Sequence, residues 1–259
     1  MLCFEWWCFE LLAIFSGLIS VEALAAEVII VNIVTLIFMI PLGTGYAASA
    51  FTGYFLGQGK IDKAKYYSRL TLAFNTLLTI VVIILLATLR EEVSMLFTQD
   101  AKIVKIIKDV MFILSFYIFF DTIHGVQSGI IRGLGLQVYG SVWTLICYYL
   151  IGLPAALWLA FGRDKGVFGL WLGFSIACVI LDLGFLVIIE CPNWHNLSVK
   201  IQEQIDQEKT KKITESIKAR KRLADENFAG ATATPESAKT LLRKVSLQQD
   251  KSLQSNIEK

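Results

Sequence analysis

Acidic side chains inside long apolar stretches are the residues of this chain best suited to chemistry. They are Glu5 and Glu10 near the start, then Glu27, Asp121 and Asp182. A carboxylate in a bilayer costs several kcal/mol unless it faces the interior of a helix bundle or a water-filled cavity. Each of these acids is therefore a candidate for binding protons or cations within a membrane.

The chemistry that such acids offer is a competition for charge. Desolvation favours the protonated, neutral form of a carboxyl group, whereas a nearby cation favours the ionised form. A proton and a cationic substrate therefore exclude one another, and this competition can couple their movements. Aromatic residues such as Trp6 and Trp7 would add cation–π contacts to an organic cation. The alternative is that they serve packing or interface anchoring.

One polar stripe is predicted from spacing alone. Tyr117, Asp121, His124, Ser128 and Arg132 follow one another at intervals of three and four residues, so they share one face of a helix. Lipid cannot satisfy such a stripe, which needs water or protein beside it. We expect His124 to make a hydrogen bond between helices rather than to shuttle protons.

The other acids have weaker patterns. Glu5 and Glu10 are five residues apart, about 140° around a helix axis, so they cannot point at one spot. We expect one to line a cavity and the other to face the bundle interior. Glu27 is either a coupling residue or a helix-start residue in a loop. Asp182 is best explained by a local hydrogen bond.

The elements that must position these residues are membrane helices. Hydrophobic residues make up 55% of the 259 residues and charged residues 18%, with polar sequence concentrated after Cys191. Because about 20 apolar residues cross a bilayer as a helix, the chain reads as an all-α, polytopic membrane helix bundle of six spans. The predicted spans are 1–20, 28–55, 70–90, 110–131, 139–161 and 167–190. Pro41, Gly43 and Gly45 predict a bend in the second.

Two domains are predicted, a membrane domain over 1–190 and a polar tail over 191–259. The distribution of basic residues favours a cytoplasmic tail. Four isoleucines between 201 and 217 and the basic run at 218–222 are typical of a helix on a membrane surface; a solvated extension is the alternative. Ser246 is a candidate kinase site. The sequence predicts an integral, multi-pass protein of the plasma membrane or of a vacuolar or vesicular membrane.

Several function classes are disfavoured. The five cysteines show no metal-binding spacing, and no Gly-x-x-x-x-Gly-Lys-Ser/Thr loop is present. No nucleophile pair or His/Glu metal set indicates an enzyme. We expect no cofactor, no metal and no nucleic-acid partner, and we expect membrane lipid as a partner.

With these patterns in place, the sequence resembles a known family. Five segments, in family order, look like the C-terminal lobe of eukaryotic multidrug and toxic compound extrusion (MATE) transporters. They are CFEWWCFELLAIFSGL at 3–18, IPLGTGYAASAFTGYFLGQG at 40–59, GVQSGIIRGLGLQ at 125–137, YYLIGLPAALWLAF at 148–161 and GVFGLWLGFSIAC at 166–178.

The resemblance implies a function. Transporters of this family have twelve core helices in two lobes, and this chain looks like helices seven to twelve. A cation-coupled antiporter, driven by protons or sodium, exports organic, often cationic compounds through a cavity between the lobes. Because Met1 starts almost inside the first span, we expect upstream residues, and hence a missing N-terminal lobe or a second half-size copy as partner.

The resemblance also implies site residues. Glu5 and Glu10 match acids of the seventh helix, and Glu27 matches an acid near the start of the eighth. Asp121 matches the acidic position of the tenth helix, with Tyr117 joining it at the ion site. One departure is the aromatic Phe51, Tyr54 and Phe55, where the family usually has polar residues.

Two other functions stay open at this point. One is a non-transporting half-size fragment or a partner-dependent membrane subunit, because a cavity between lobes needs two of them. The other is a lipid-linked-sugar flippase of related architecture. It is disfavoured because such a cavity would be expected to carry several basic residues, and the spans offer almost none.

Overall fold

A computed structural model describes residues 2–230, with side-chain environments for 4–222. Every regular element in these residues is helical. The elements are α1 (Leu2–Ile19), α2 (Val21–Gly57), α3 (Ile61–Thr88), α4 (Arg90–Phe97), α5 (Ala101–Gly133), α6 (Gln137–Leu145), α7 (Leu153–Leu157), α8 (Gly166–Glu190) and α9 (Trp194–Gly230). The π-helical segment π1 (Ile146–Gly152) joins α6 to α7, and a second one, π2 (Trp158–Gly162), continues α7, so that Gln137–Gly162 is one continuous helix.

All six predicted spans overlap long helices, so the all-α bundle is confirmed. Four helices within the described residues are long and apolar enough to cross a membrane: Val21–Gly57, Ile61–Thr88, Gln137–Gly162 and Gly166–Glu190. Helices α1 and α5 complete the six. The short helix α4 was not predicted, and α2 begins seven residues before the predicted start at 28.

Local chemistry sets several helix boundaries. Ser20 caps α2 by accepting a hydrogen bond from the backbone N–H of Ala23 at 3.0 Å, as short polar residues do at helix N-termini. Asp100 caps α5 in the same way, through the N–H of Lys102 at 2.8 Å. Gly59 follows α2 at a φ of 73°, a conformation that glycine adopts without steric cost. The chain therefore turns sharply between α2 and α3.

Helix α5 lies at the centre of the bundle, packed against α2, α3 and α8. Its contact with α2 is close because glycines face each other across it. A Cβ atom placed on Gly129 would overlap the carbonyl oxygen of Gly45, and one on Gly125 would lie 3.0 Å from Pro41. Small residues allow membrane helices to approach in this way. Helix α2 continues through Pro41, and the bend there stays a prediction.

A polar network also joins three helices. Asn75 of α3 donates its Nδ2–H to the carbonyl oxygen of Thr122 in α5 at 2.9 Å, and its Oδ1 accepts from Thr44 of α2 at 3.0 Å. Thr79 donates to Thr122 Oγ1 at 2.9 Å. Buried polar groups are costly unless paired, so these pairs fix the register of α2, α3 and α5.

Contacts divide the chain into two units, Met1–Gln202 and Glu203–Lys259; the domain boundary at 190/191 stays a prediction. In the second unit Ile213 and Ile217 are exposed. Lys212 donates to Glu208 at 2.7 Å, and this hydrogen bond holds the pKa of the Glu208 carboxyl below its usual range. Residues 231–259, and with them Ser246, lie outside the described residues.

Candidate functional site

Glu5 is the polar centre of the site. It is only 3% exposed, although α1 lies at the edge of the bundle. Its Oε1 accepts a hydrogen bond from Tyr148 Oη at 3.2 Å, and its Oε2 lies 3.5 Å from His124 Nε2. Three elements, α1, π1 and α5, therefore meet at one carboxylate. His124 thus contacts another helix, but its predicted hydrogen bond between helices stays a prediction, because Glu5 Oε2 has no hydrogen-bond partner among the described residues.

The polar stripe of α5 lies beside Glu5. Tyr117 is completely buried and donates its hydroxyl to Asp121 Oδ1 at 3.1 Å. One helical turn beyond His124, Ser128 Oγ accepts from Arg132 Nη1 at 3.1 Å. Protein therefore surrounds most of this stripe, whose polar groups could not form hydrogen bonds with lipid chains.

Glu5 and Asp121 line one small cavity. Its volume is about 20 Å³, and Trp6 and Thr35 contribute to its wall. A space of this size holds about one water molecule when polar groups are present to bind it. The two acids, on different helices, therefore share a site where a water, a proton or a small cation would contact both.

Glu27 occupies a second buried position. It is fully buried within α2, not in a loop before a helix, so the helix-start interpretation is wrong. Helix α2 begins at Val21 because Ser20 provides the cap. Glu27 Oε2 accepts from Trp171 Nε1 at 2.9 Å. The Trp171 ring lies edge-on to Tyr117 at 5.2 Å, so a single side chain bridges the Glu27 and Tyr117 positions.

The remaining predicted residues lie elsewhere. Glu10 is exposed, in keeping with its angular separation from Glu5. Trp7 is 70% exposed, and Trp6, which also borders the cavity, is 41% exposed. Asp182 is buried, yet neither carboxylate oxygen has a hydrogen-bond partner among the described residues. The local hydrogen bond predicted for Asp182 is therefore wrong.

Sequence reasoning missed two members of the site, Tyr148 and Trp171. Both are polar aromatic residues inside apolar helices, and each donates a hydrogen bond to a buried acid. One general rule could have indicated them: buried Tyr and Trp side chains usually need a hydrogen-bond partner for their polar atom. Spacing gave no hint of which acid each would meet.

A separate cleft lies on the surface, away from the predicted site residues. An open cleft of about 540 Å³ beside α4 and the start of α5 is lined by mixed charges, including Glu91, Lys105 and Lys108. Lys108 pairs with Glu91 there at 3.0 Å, and none of the predicted site residues borders the cleft. Within the described part of the chain, no three His, Cys, Asp or Glu side chains converge as metal ligands.

Trp171→Phe is expected to lower the free energy of unfolding by about 2 kcal/mol, because it leaves the buried Glu27 carboxylate without its donor. Unfolding in a denaturing detergent, followed by helical circular dichroism, measures this. Trp7→Phe, the same change at an exposed position, is the control and should have little effect. Equal stability of both variants would show that the Trp171 hydrogen bond contributes nothing.

Known proteins are similar to this chain in sequence. The family model MatE matches residues 1–158. Multidrug and toxin extrusion protein 1 of Danio rerio is 35% identical over 195 residues, which are 75% of this chain and 33% of the relative. Multidrug and toxin extrusion protein 2 of Mus musculus is 33% identical over 213 residues, 82% of this chain and 37% of the relative. This chain thus spans about a third of the length of these relatives.

Solved structures show the same fold. The crystal structure of the eukaryotic MATE transporter AtDTX14 matches with a TM-score of 0.74 and 29% identity, over 78% of this chain and 46% of that one. An outward-facing MATE transporter of the MOP superfamily matches in fold, with a TM-score of 0.67 at 15% identity, over 72% of this chain and 41% of that one. With its apolar helices, the chain is an integral, multi-pass membrane protein. The predicted family is confirmed: this chain belongs to the MatE family of multidrug and toxin extrusion transporters.

Proposed function

We propose that this chain forms one lobe of a cation-coupled antiporter that exports organic, often cationic compounds, driven by protons or sodium. The observation that supports this best is the pair of buried acids, Glu5 and Asp121, at one water-sized cavity. Family membership supports the transport function. The geometry supports the coupling, because two carboxylates at one small site cannot both stay ionised without a cation nearby.

Each acid has a donor that positions it. Tyr117 orients Asp121 from the same helix, and Tyr148 orients Glu5 from π1. His124, beside Glu5, can supply a positive charge or remain neutral according to its protonation. A proton that enters the cavity neutralises one acid and weakens the hold on a bound cation. Loss of that proton restores the negative charge of the cavity. The protonated site therefore disfavours the cation, and the deprotonated site binds it.

The exposed residues would serve the substrate. Glu10 and Trp7 lie on the surface of the lobe, and Trp6 lies between that surface and the cavity. An organic cation would be held there by charge and by aromatic faces. In this proposal Glu27 is a further ion-coupling acid, held by Trp171. In this proposal an N-terminal lobe or a second half-size copy provides the facing wall.

Efflux driven by an ion gradient tests this function. The full-length protein carrying this sequence is reconstituted in liposomes loaded with tetraethylammonium, and an inward proton or sodium gradient is imposed. We expect one of the two gradients to accelerate efflux. Acceleration by neither would contradict the antiporter proposal.

Glu5→Gln is expected to slow the gradient-driven efflux at least about tenfold, a change of roughly 1.4 kcal/mol in the barrier. The amide keeps the shape of the side chain but cannot exchange a proton or hold a cation by charge. Glu92→Gln, at an exposed position in α4, is the matched control. Equal losses in both variants would remove Glu5 from the coupling role.

A partner-dependent membrane subunit is the second candidate. It is favoured by the exposure of Glu10 and Trp7, which leaves a charge and a large ring on the surface of the lobe. A subunit of this kind would bind a second membrane protein without moving substrate. Residues 1–259, reconstituted together with a first-lobe partner, separate the two functions. Gradient-driven efflux from the mixture supports the antiporter lobe, whereas a stable complex that transports nothing supports the partner-dependent subunit.

A further inference from the structure

Asp182 of α8 is a buried acid that the proposed site does not use. It is 4% exposed, and neither Oδ1 nor Oδ2 has a hydrogen-bond partner among the described residues. An ionised carboxylate without a partner is very costly to bury. A polar side chain this deep in a bundle therefore needs a ligand, and the smallest ligand that neutralises it is a proton.

The groups around Asp182 add to the cost of its negative charge. Glu5 of α1 and Asp121 of α5 line one cavity, and His124, which lies beside Glu5, packs on Phe185 of α8, three residues from Asp182. Cys178, one turn earlier on α8, supplies no positive charge to offset it. Like charges at close range repel more strongly in a low-dielectric interior than in water. A third acid, on a third helix, thus lies near a site that already carries two carboxyl groups.

The remaining elements packed on α8 supply little compensation. His124 of α5 is directed to Glu5, with its ring packed on Phe185 of α8 at 5.0 Å. Tyr148 of π1 donates to Glu5 rather than to Asp182. Helices α6 and α7 contain no Asp, Glu, Lys, Arg or His, and α2 contributes Glu27, which Trp171 binds.

We propose that Asp182 is a third proton-binding carboxyl of the lobe. It holds a proton in the arrangement described and releases it to water when a cation binds at Glu5 and Asp121. A bound cation lowers the negative potential at Asp182, which makes its ionised form less costly. One positive charge thus enters the site as another leaves, so charge is balanced. This rests on the proposed antiport function for its role in coupling, whereas proton binding by Asp182 stands on burial alone.

Infrared spectroscopy tests proton binding directly. The full-length protein carrying this sequence, in lipid nanodiscs at neutral pH, is expected to show a protonated-carboxyl stretching band that shifts in heavy water. Asp182→Asn should remove the intensity of one carboxyl group from this band. Asp62→Asn, at an exposed aspartate, should leave the band unchanged.

Two results would overturn the proposal: the absence of such a band from the unmodified protein, or a band that Asp182→Asn leaves intact. Asp182→Leu gives the same readout if the asparagine variant does not fold, because an apolar side chain of similar size suits a buried site without partners.

A second measurement connects the proton to the cation. Tetraethylammonium is added to the protein in weakly buffered solution, and proton release is followed with a pH-sensitive dye. Asp182→Asn should release fewer protons per bound cation than the unmodified protein; equal release would contradict the coupling role.

Failure of the antiport function would appear as absent gradient-driven efflux with the infrared band retained, whereas failure of this inference would appear as normal efflux with the band unchanged by Asp182→Asn.

Discussion

Asp121→Asn is expected to abolish pH-driven efflux of an organic cation, reducing it to the rate of protein-free liposomes. Asparagine has nearly the shape of aspartate and can still accept the hydrogen bond from Tyr117, so the fold should persist. It cannot take up a proton or attract a cation by charge. The loss should therefore appear in transport, without a matching loss of stability.

The structure supplies a control on the same helix. Asp109 also lies in α5, but it is exposed and does not border the cavity. Asp109→Asn should transport tetraethylammonium at the unmodified rate, and both variants should unfold at similar denaturant concentrations. Unchanged efflux by Asp121→Asn would remove Asp121 from the coupling role, whereas unfolding of that variant alone would identify Asp121 as a structural residue.

Gly129→Ala is expected to lower the free energy of unfolding by about 2–3 kcal/mol, because added volume in a close-packed contact forces backbone shifts. The new methyl group would overlap the backbone of Gly45, an obstacle that no rotamer change can relieve. Since α2 carries Glu27 and α5 carries Asp121, separating the helices should also impair transport. Unfolding in a denaturing detergent measures the loss of stability, and gradient-driven efflux from liposomes measures the loss of transport.

Gly43→Ala is the matched control for this prediction. Gly43 lies in α2 near Gly45, but a Cβ atom there meets nothing within 4 Å. Alanine favours a helix over glycine by about 1 kcal/mol, so this variant should be as stable as the unmodified protein or slightly more so. Equal destabilisation at both positions would mean that the α2–α5 contact is looser than described.

Patterns with a short period predicted much of this structure. The spacing of Tyr117, Asp121 and His124 predicted a shared face, because the helical repeat alone fixes that relation. The separation of Glu5 and Glu10 followed from the same geometry, and one is buried while the other is exposed. Lengths of apolar sequence likewise predicted the six long helices.

Contacts between distant parts of the chain were beyond such patterns. Tyr148 lies 143 residues from Glu5, and Trp171 lies 144 residues from Glu27. Only the packing of α1 and α2 against π1 and α8 brings these pairs together, and no local repeat encodes it. The start of α2 was missed for a different reason: Ser20 ends one helix and caps the next, so two elements follow one another without a polar loop.

The wide turns π1 and π2 have a mechanical consequence. A π-helical turn holds an additional residue, and its hydrogen bonds span five residues instead of four. Sharp kinks of helices occur at insertions of this kind, so π1 and π2 are the points at which we expect this helix to bend. Tyr148 is itself part of π1 and donates its hydroxyl to Glu5. A bend at π1 would therefore move this donor together with Glu5, while the close-packed contact between α2 and α5 stays in place.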